Sequence, residues 1–209
     1  MRIGVIQASS QKQKNPFLER GVRLAVPEEW RVVNFGVFPE EETEISYVEI
    51  ALYAGLLLES GAVDFIVTGC SSGQGMALAL NCLPGVVCGY TPTPADAFLF
   101  GRINGGNAAS YPLGLNWGWN GEWNLNATLR ALFDGPLGEG YPPEEAPRKR
   151  RDMECLHALA RACRVEFSQA LEHMDPAMLR RALSFAEVYS YMQAHGTNVP
   201  FVERLAAYR

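Results

Sequence analysis

Six residues, Val63 to Thr68 (VDFIVT), restrict the fold of this chain more than any other segment. A near-continuous apolar run of that length, placed after a helix-period segment, is what a strand covered on both faces of a parallel sheet requires. Parallel strands need crossover connections, so the rest of the chain should alternate between strands and helices. Further strands are expected over Arg2 to Gln7, Trp30 to Gly36, Val86 to Tyr90 and Ala108 to Leu115. Helices are expected from Asn15-Pro16 onward and over Ile45 to Ser60, Met76 to Cys82, Pro94 to Ile103 and Asn124 to Phe133. The expected fold is therefore α/β: a three-layer, doubly wound, Rossmann-like parallel sheet of about five strands.

Residues Gly135 to Pro147 (GPLGEGYPPEEAP) change the composition to Gly, Pro and Glu, which reads as a linker. It divides the chain into an α/β domain over 1–147 and a C-terminal helical extension over 148–209. The extension reads as two amphipathic helices, Arg148 to Glu172 and Pro176 to His195, with a short tail over Phe201 to Tyr208. In the first of these, Met153, Leu156, Leu159 and Cys163 recur at helical spacing as an inward face.

A chain of 209 residues buries roughly 70% of its unfolded surface and needs no disulfide or metal staple. With 18 basic against 23 acidic residues, a net charge of −5 argues against a nucleic-acid partner. No apolar run approaches a membrane span, and Ile3 to Ile6 is too short for a signal-peptide core, so a cytoplasmic protein without a membrane partner is expected. The five cysteines (70, 82, 88, 155 and 163) form no CxxC pair and are odd in number, as reduced thiols would be.

Ligands of doubly wound sheets sit at the carboxyl ends of the strands, which here means Gln7 to Ser10, Gly69 to Gly75 and Tyr90 to Thr93. In the second of these, Cys70 stands between a strand and the positive end of a helix dipole, a setting that favours a thiolate base or nucleophile. Gly73 and Gly75 let the backbone turn its N–H groups into one concave site suited to phosphate or an enediolate oxygen. A buried small residue in a tight turn accounts for the same spacing equally well. Cys82, Cys88, Cys155 and Cys163 lie in apolar periodic segments and are expected to pack in the core.

No G-x-G-x-x-G follows the first strand, where Gln7-Ala8-Ser9-Ser10 stands, and no G-K-[ST] occurs, so no nucleotide cofactor is expected. No metal is expected either, because His157, His173 and His195 form no ligand-spaced pair with a cysteine. Arg148-Lys149-Arg150-Arg151 places cations in a first helical turn against the macrodipole, which suits either anion binding or a solvated surface. Trp117, Trp119 and Trp123 read as aromatic packing or as a pocket wall.

Over about residues 1–151 the chain resembles the type B ribose-5-phosphate isomerases and the related galactose-6-phosphate isomerase subunits. The residues that carry the likeness are Val32-Val33-Asn34-Phe35-Gly36, Ser60 to Asp64, and Cys70-Ser71-Ser72-Gly73-Gln74-Gly75-Met76 with Ala79-Leu80-Asn81 downstream. The resemblance implies an aldose-ketose isomerase of a sugar phosphate, of the ribose 5-phosphate type, working through a cis-enediolate without cofactor. By the family's pattern Cys70 is the base, Ser72 assists at the sugar ring, and the amides of Ser71, Gly73, Gln74 and Gly75 form the anion hole. Asn104 and Asn107 match sugar contacts, Arg148 and Arg151 match the phosphate-binding arginines, and Ser9, at the end of the first strand, is a further candidate substrate contact.

The resemblance also implies a homodimer with sites shared between subunits. Two departures stand at the chemistry: the family's Asp-His pair falls on Ala8-Ser9, and its ring-opening histidine on Ile103. A histidine of the extension is one replacement. The other outcomes are a substrate that differs, such as a hexose phosphate or a sugar acid without phosphate, and a binding protein that has lost turnover.

Overall fold

The computed structural model of the chain describes residues 1–209 except Thr43, Asn116 and Ala186. Five strands, β1 (Arg2–Val5), β2 (Arg31–Asn34), β3 (Phe65–Cys70), β4 (Cys88–Tyr90) and β5 (Ala108–Pro112), form one parallel sheet in the order β2-β1-β3-β5-β4. Every residue of β3 is buried, as its near-continuous apolar sequence demands. Alternate residues serve the two faces. Phe65 and Val67 enter one core cluster, with α1 (Asn15–Ala25), α4 (Pro94–Leu99) and α5 (Gly121–Leu132). Ile66 and Cys70 enter the other, with α2 (Tyr47–Glu59) and α3 (Gln74–Asn81).

The extension departs from the sequence expectation in its breaks and its packing. In place of one helix over Arg148 to Glu172 there are α6 (Ala146–Cys163) and α7 (Phe167–His173). Arg164 leaves the helix in an extended conformation and donates to the carbonyls of Leu83 (2.9 Å) and Val86 (3.2 Å). This turn lets Phe167 and Leu171 bury against the sheet side of the molecule. The second expected helix is likewise two, α8 (Pro176–Ser184) and α9 (Val188–His195), separated near Glu187, whose φ is +48°. Ala186, inside that span, is outside the described residues. The tail forms α10 (Val199–Leu205), and α7 to α10 share one buried cluster with α2 and α3.

The expected inward face of α6 is not inward. Leu156, Leu159 and Cys163 are exposed, as is Cys155, and only Met153 packs, against Gly105 and Gly138. Cys82 is also exposed rather than in the core, because it caps the last turn of α3 on its outer side. Cys88 is buried as expected, and burial pushes its thiol up to about 12. The Gly-Pro segment is a packed loop rather than a free linker: Gly138 and Gly140 donate to the carbonyls of Gly101 and Arg102, and the buried Arg102 guanidinium reaches the Gly135 carbonyl.

Candidate active site

Cys70 ends β3 with its side chain on the α2/α3 face, 9% exposed. Its carbonyl accepts from Leu113 N–H (2.9 Å), and the Ser71 carbonyl accepts from Gly114 (3.0 Å) and Leu115 (2.7 Å), so the strand-end loop is clamped to the segment after β5. The chain then turns at Gly73, whose φ of +78° is one that only glycine adopts readily, and α3 begins. Ser110 Oγ donates to the Gly73 carbonyl at 2.6 Å and holds that turn from below. The N–H groups of Ser71, Ser72 and Gly73 find no backbone acceptor among the described residues, which leaves donors at the helix start for an anion. Gln74 N–H is taken at 3.3 Å by Ser72 Oγ.

Tyr47 completes the setting. A Cβ on Gly75 would lie 3.3 Å from the Tyr47 ring and 3.6 Å from Cys70 Sγ, so ring, glycine and thiol meet around one point. Ser46 caps α2 by accepting from Val48 N–H (3.1 Å), while Glu49 accepts from Ser46 N–H (3.0 Å), and this reciprocal pair fixes Tyr47 at the first helical position. Tyr47 carries no motif of its own in the sequence, although the S-x-x-E spacing of Ser46 and Glu49 marks the helix start that bears it. A cavity of about 460 Å³ opens beside Tyr47, between Ala8, Ser9 and Ser10 on one side and Glu44 and Glu49 on the other. Arg181 of α8 pairs with Glu49, so the extension reaches the rim of this region.

The structure divides the sequence-identified residues into two groups. Ser9, Cys70, Ser71, Ser72, Gly73, Gln74 and Gly75 gather at the carboxyl edge of the sheet. Within the group, Ser9 Oγ exchanges hydrogen bonds with both backbone groups of Ile45 (2.9 and 3.0 Å), and Ser71 Oγ accepts from Gln11 Nε2 at 2.9 Å. Asn104, Asn107, Arg148 and Arg151 lie at the opposite, amino edge. Asn107 accepts from Val87 N–H and donates to the Gly85 carbonyl, both at 2.9 Å, and so ties the entries of β4 and β5 together. Arg148 pairs with Glu145 and Asp152 on the exposed start of α6.

Neither His157 nor His195 of the same chain stands at Cys70 to replace the missing imidazoles. His157 lines a cavity of about 290 Å³ with Gly85, Asn107 and Arg164 at the amino edge. The His195 carbonyl is held there by the Arg2 side chain at 2.6 Å. Trp117 is half-buried and edge-on to Phe17 at 5.8 Å, whereas Trp119 and Trp123 are exposed and, among the described residues, join no aromatic pair, against the expectation of an aromatic cluster. Among the described residues no group of three or more His, Cys, Asp or Glu side chains is arranged to hold a metal ion, and no helix is long and apolar enough to cross a membrane.

The chain and its fold are similar to those of known proteins. A sequence profile described as ribose/galactose isomerase matches residues 17–113. A 4-deoxy-L-threo-5-hexosulose-uronate ketol-isomerase, solved with a tartrate, is 34% identical with a TM-score of 0.94 and covers 100% of this chain and 99% of its own. The chain belongs to the ribose/galactose isomerase family. A ribose-5-phosphate isomerase from Vibrio parahaemolyticus is 32% identical over the same shares, with a TM-score of 0.93. The type B ribose 5-phosphate isomerase of Trypanosoma cruzi, at 19% identity and a TM-score of 0.65, shares the fold over 78% of this chain and 99% of its own. No curated protein sequence matches significantly.

Proposed function

We propose that the protein is a ketol-isomerase that moves a proton between C1 and C2 of an anionic aldose, with Cys70 as the base. The observation that carries it is the Cys70 thiol beside unpaired loop amides at the start of α3. As thiolate, Cys70 takes the C2 proton, the C1 carbonyl oxygen becomes the enediolate oxygen, and the amides of Ser71 to Gly73 stabilise its charge. Returning the carbon-bound proton to C1, while the C2 hydroxyl proton passes to the C1 oxygen, forms the ketose. Cys88 is no rival base, because burial keeps its thiol protonated at neutral pH.

Two substrate classes fit this chemistry. A sugar phosphate of the ribose 5-phosphate type follows from the family pattern and from the name of the Vibrio relative. Ala8-Ser9 and Ile103, standing where the family has acid/base groups, favour the other class, a sugar acid like the one the ketol-isomerase relative is named for. An aldose with no hydroxyl at C4 and a carbonyl at C5 lacks the groups that close a furanose or pyranose on C1. Its aldehyde needs no ring-opening acid, and its carboxylate supplies the negative charge. The working unit is a homodimer: within one chain Asn104, Arg148 and Arg151 lie at the far edge of the sheet from Cys70, and the exposed Leu156 and Leu159 of α6 offer an apolar face to a partner.

The test is proton NMR in D₂O with ribose 5-phosphate, galactose 6-phosphate and 4-deoxy-L-threo-5-hexosulose-uronate. The expected result is isomer carrying solvent deuterium, fastest with the uronate, and a loss of about 10² to 10⁴ in rate for Cys70→Ala with unchanged melting. Retained turnover in Cys70→Ala removes the cysteine base. A thermal shift with ligand but no exchange makes this a binding protein instead.

A further inference from the structure

We infer, on the reading of Cys70 as the carbon base, that Tyr47 is a second catalytic residue and carries the proton that moves between the C2 and C1 oxygens of the sugar. Two protons change place in the isomerisation. One leaves C2 and returns at C1, and the thiol handles it. The other leaves the C2 hydroxyl and ends on the C1 oxygen. The thiol is occupied by the first proton, and a loop amide donates a hydrogen bond without releasing its own, so a further acid/base group is needed.

Tyr47 stands where that second transfer takes place. Cε2 and Cδ2 of its ring lie 3.3 and 3.4 Å from the point where a Gly75 Cβ would stand, and Cys70 Sγ lies 3.6 Å from the same point. The phenol oxygen is bonded to the carbon next to Cε2, so hydroxyl and thiol flank the space at Gly75 from two sides. Tyr47 is 47% exposed and lines the cavity of about 460 Å³, which leaves it open to a ligand. The capping pair of Ser46 and Glu49 fixes its backbone, and Arg181 of the extension braces that pair: one Glu49 oxygen takes Ser46 N–H while the other takes the guanidinium.

The other hydroxyls and carboxylates of this edge are committed. Ser9 Oγ both donates to and accepts from the backbone of Ile45, Ser71 Oγ accepts from Gln11, Ser72 Oγ accepts from Gln74 N–H, and Glu49 is paired as above. Glu44, exposed on the same cavity, is the rival. Tyrosine is one of the side chains that transfer protons in general acid/base catalysis. After the thiolate has taken the C2 proton, the loop amides hold the C1 oxyanion and the Tyr47 hydroxyl gives its proton to it. The phenolate then takes the C2 hydroxyl proton as the thiol protonates C1. Both side chains end as they began, and this step needs no imidazole.

The experiment compares full-length wild type, Tyr47→Phe and Glu44→Gln in D₂O with ribose 5-phosphate, galactose 6-phosphate and 4-deoxy-L-threo-5-hexosulose-uronate. Proton NMR reads both the ketose formed and the deuterium entering C2 of the remaining aldose. Tyr47→Phe keeps the ring at Gly75 and removes only the hydroxyl. Ketose formation should fall about 10²-fold or more at unchanged KM, while C2 deuteration falls less, so that the ratio of exchange to isomerisation rises about tenfold. Glu44→Gln should keep the wild-type ratio. Full turnover in Tyr47→Phe overturns the proposal. An equal loss of both signals also overturns it, because the phenol then only shapes the approach to the thiol, and so does a ratio raised in Glu44→Gln alone. Exchange and turnover retained in Cys70→Ala would instead remove the carbon base, and the ratio in Tyr47→Phe would still decide on Tyr47. Wild-type protein inert toward all three sugars removes the isomerase reading and this one together.

Discussion

Gly73 and Gly75 flank one residue of the same loop and are glycines for different reasons. At Gly73 the backbone is left-handed and a Cβ would meet backbone atoms of Tyr111 and Pro112 at 2.7 and 2.9 Å, which cannot retreat. Gly73→Ala should lose about 2 kcal/mol or more of stability, seen as a lowered denaturation midpoint, and activity with it. At Gly75 no left-handed φ is required, and a Cβ would meet only the Tyr47 ring and Cys70 Sγ at ordinary to slightly tight distance. Gly75→Ala should melt within about 1 kcal/mol of wild type yet turn over roughly tenfold more slowly, because the methyl occupies the approach to the thiol. A Gly75→Ala enzyme with full activity would show that substrate does not pass between Tyr47 and Cys70. The glycines and the cysteine were legible in the sequence because a strand-turn-helix pattern fixes where they stand. Tyr47 was not, since its place beside them depends on how α2 returns to the sheet.

At the scale of elements, the strands could be read because burial on both faces writes itself into consecutive residues, as in Val63 to Thr68. The breaks in the extension could not be read. Arg164 interrupts a helical pattern for the sake of partners distant in sequence, the Leu83 and Val86 carbonyls. Asn107 is a similar instance: it matches a sugar contact by pattern, yet its side chain is committed to two backbone bonds. Asn107→Ala should therefore cost about 1–3 kcal/mol in stability, whereas Asn104→Ala, exposed and without such bonds, should leave melting unchanged and raise KM. The reverse pattern would restore Asn107 to the sugar. Glu59, at the end of α2, tests the docking of the extension. Burial and then the nearby Glu166 raise its pKa above the ordinary 4.5, while Asn198 donates to its carbonyl and carboxylate. A raised folded-state pKa means that the folded chain holds this proton more tightly than the unfolded one. The resulting stability is complete below about pH 4.5 and is lost as the pH rises through the raised value. Glu59→Gln should remove that decline and stabilise the protein at pH 7 by less than about 1 kcal/mol, the group being half solvated, as thermal melts from pH 4 to 8 would show.

For the whole molecule the separation of the two residue groups becomes a question of assembly. Six of the sequence-identified residues stand with Cys70 at the carboxyl edge and four stand at the amino edge, and no rearrangement short of unfolding brings one edge of a sheet to the other. If the Asn104, Arg148 and Arg151 group serves the isomerase at all, it must serve the site of another chain, which a two-fold dimer allows in a reciprocal way. Two inactive variants then complement each other. Cys70→Ala destroys its own thiol but still lends a normal amino edge, and the double variant Arg148→Ala, Arg151→Ala keeps the thiol and loses the arginines. Neither change touches a buried contact of the other group, so both chains should fold. Mixed after dissociation and reassociation, half of the dimers are heterodimers, and each of these holds one site with both parts intact. Turnover should recover to about a quarter of the wild-type rate. Full activity in the arginine variant by itself would place the cluster on a solvated surface, in line with its pairing to Glu145 and Asp152. Two dead variants that stay dead when mixed would mean that each site is complete within one chain, and the groups that hold the substrate's anion would then have to lie near Ser9, Gln11 and Tyr47.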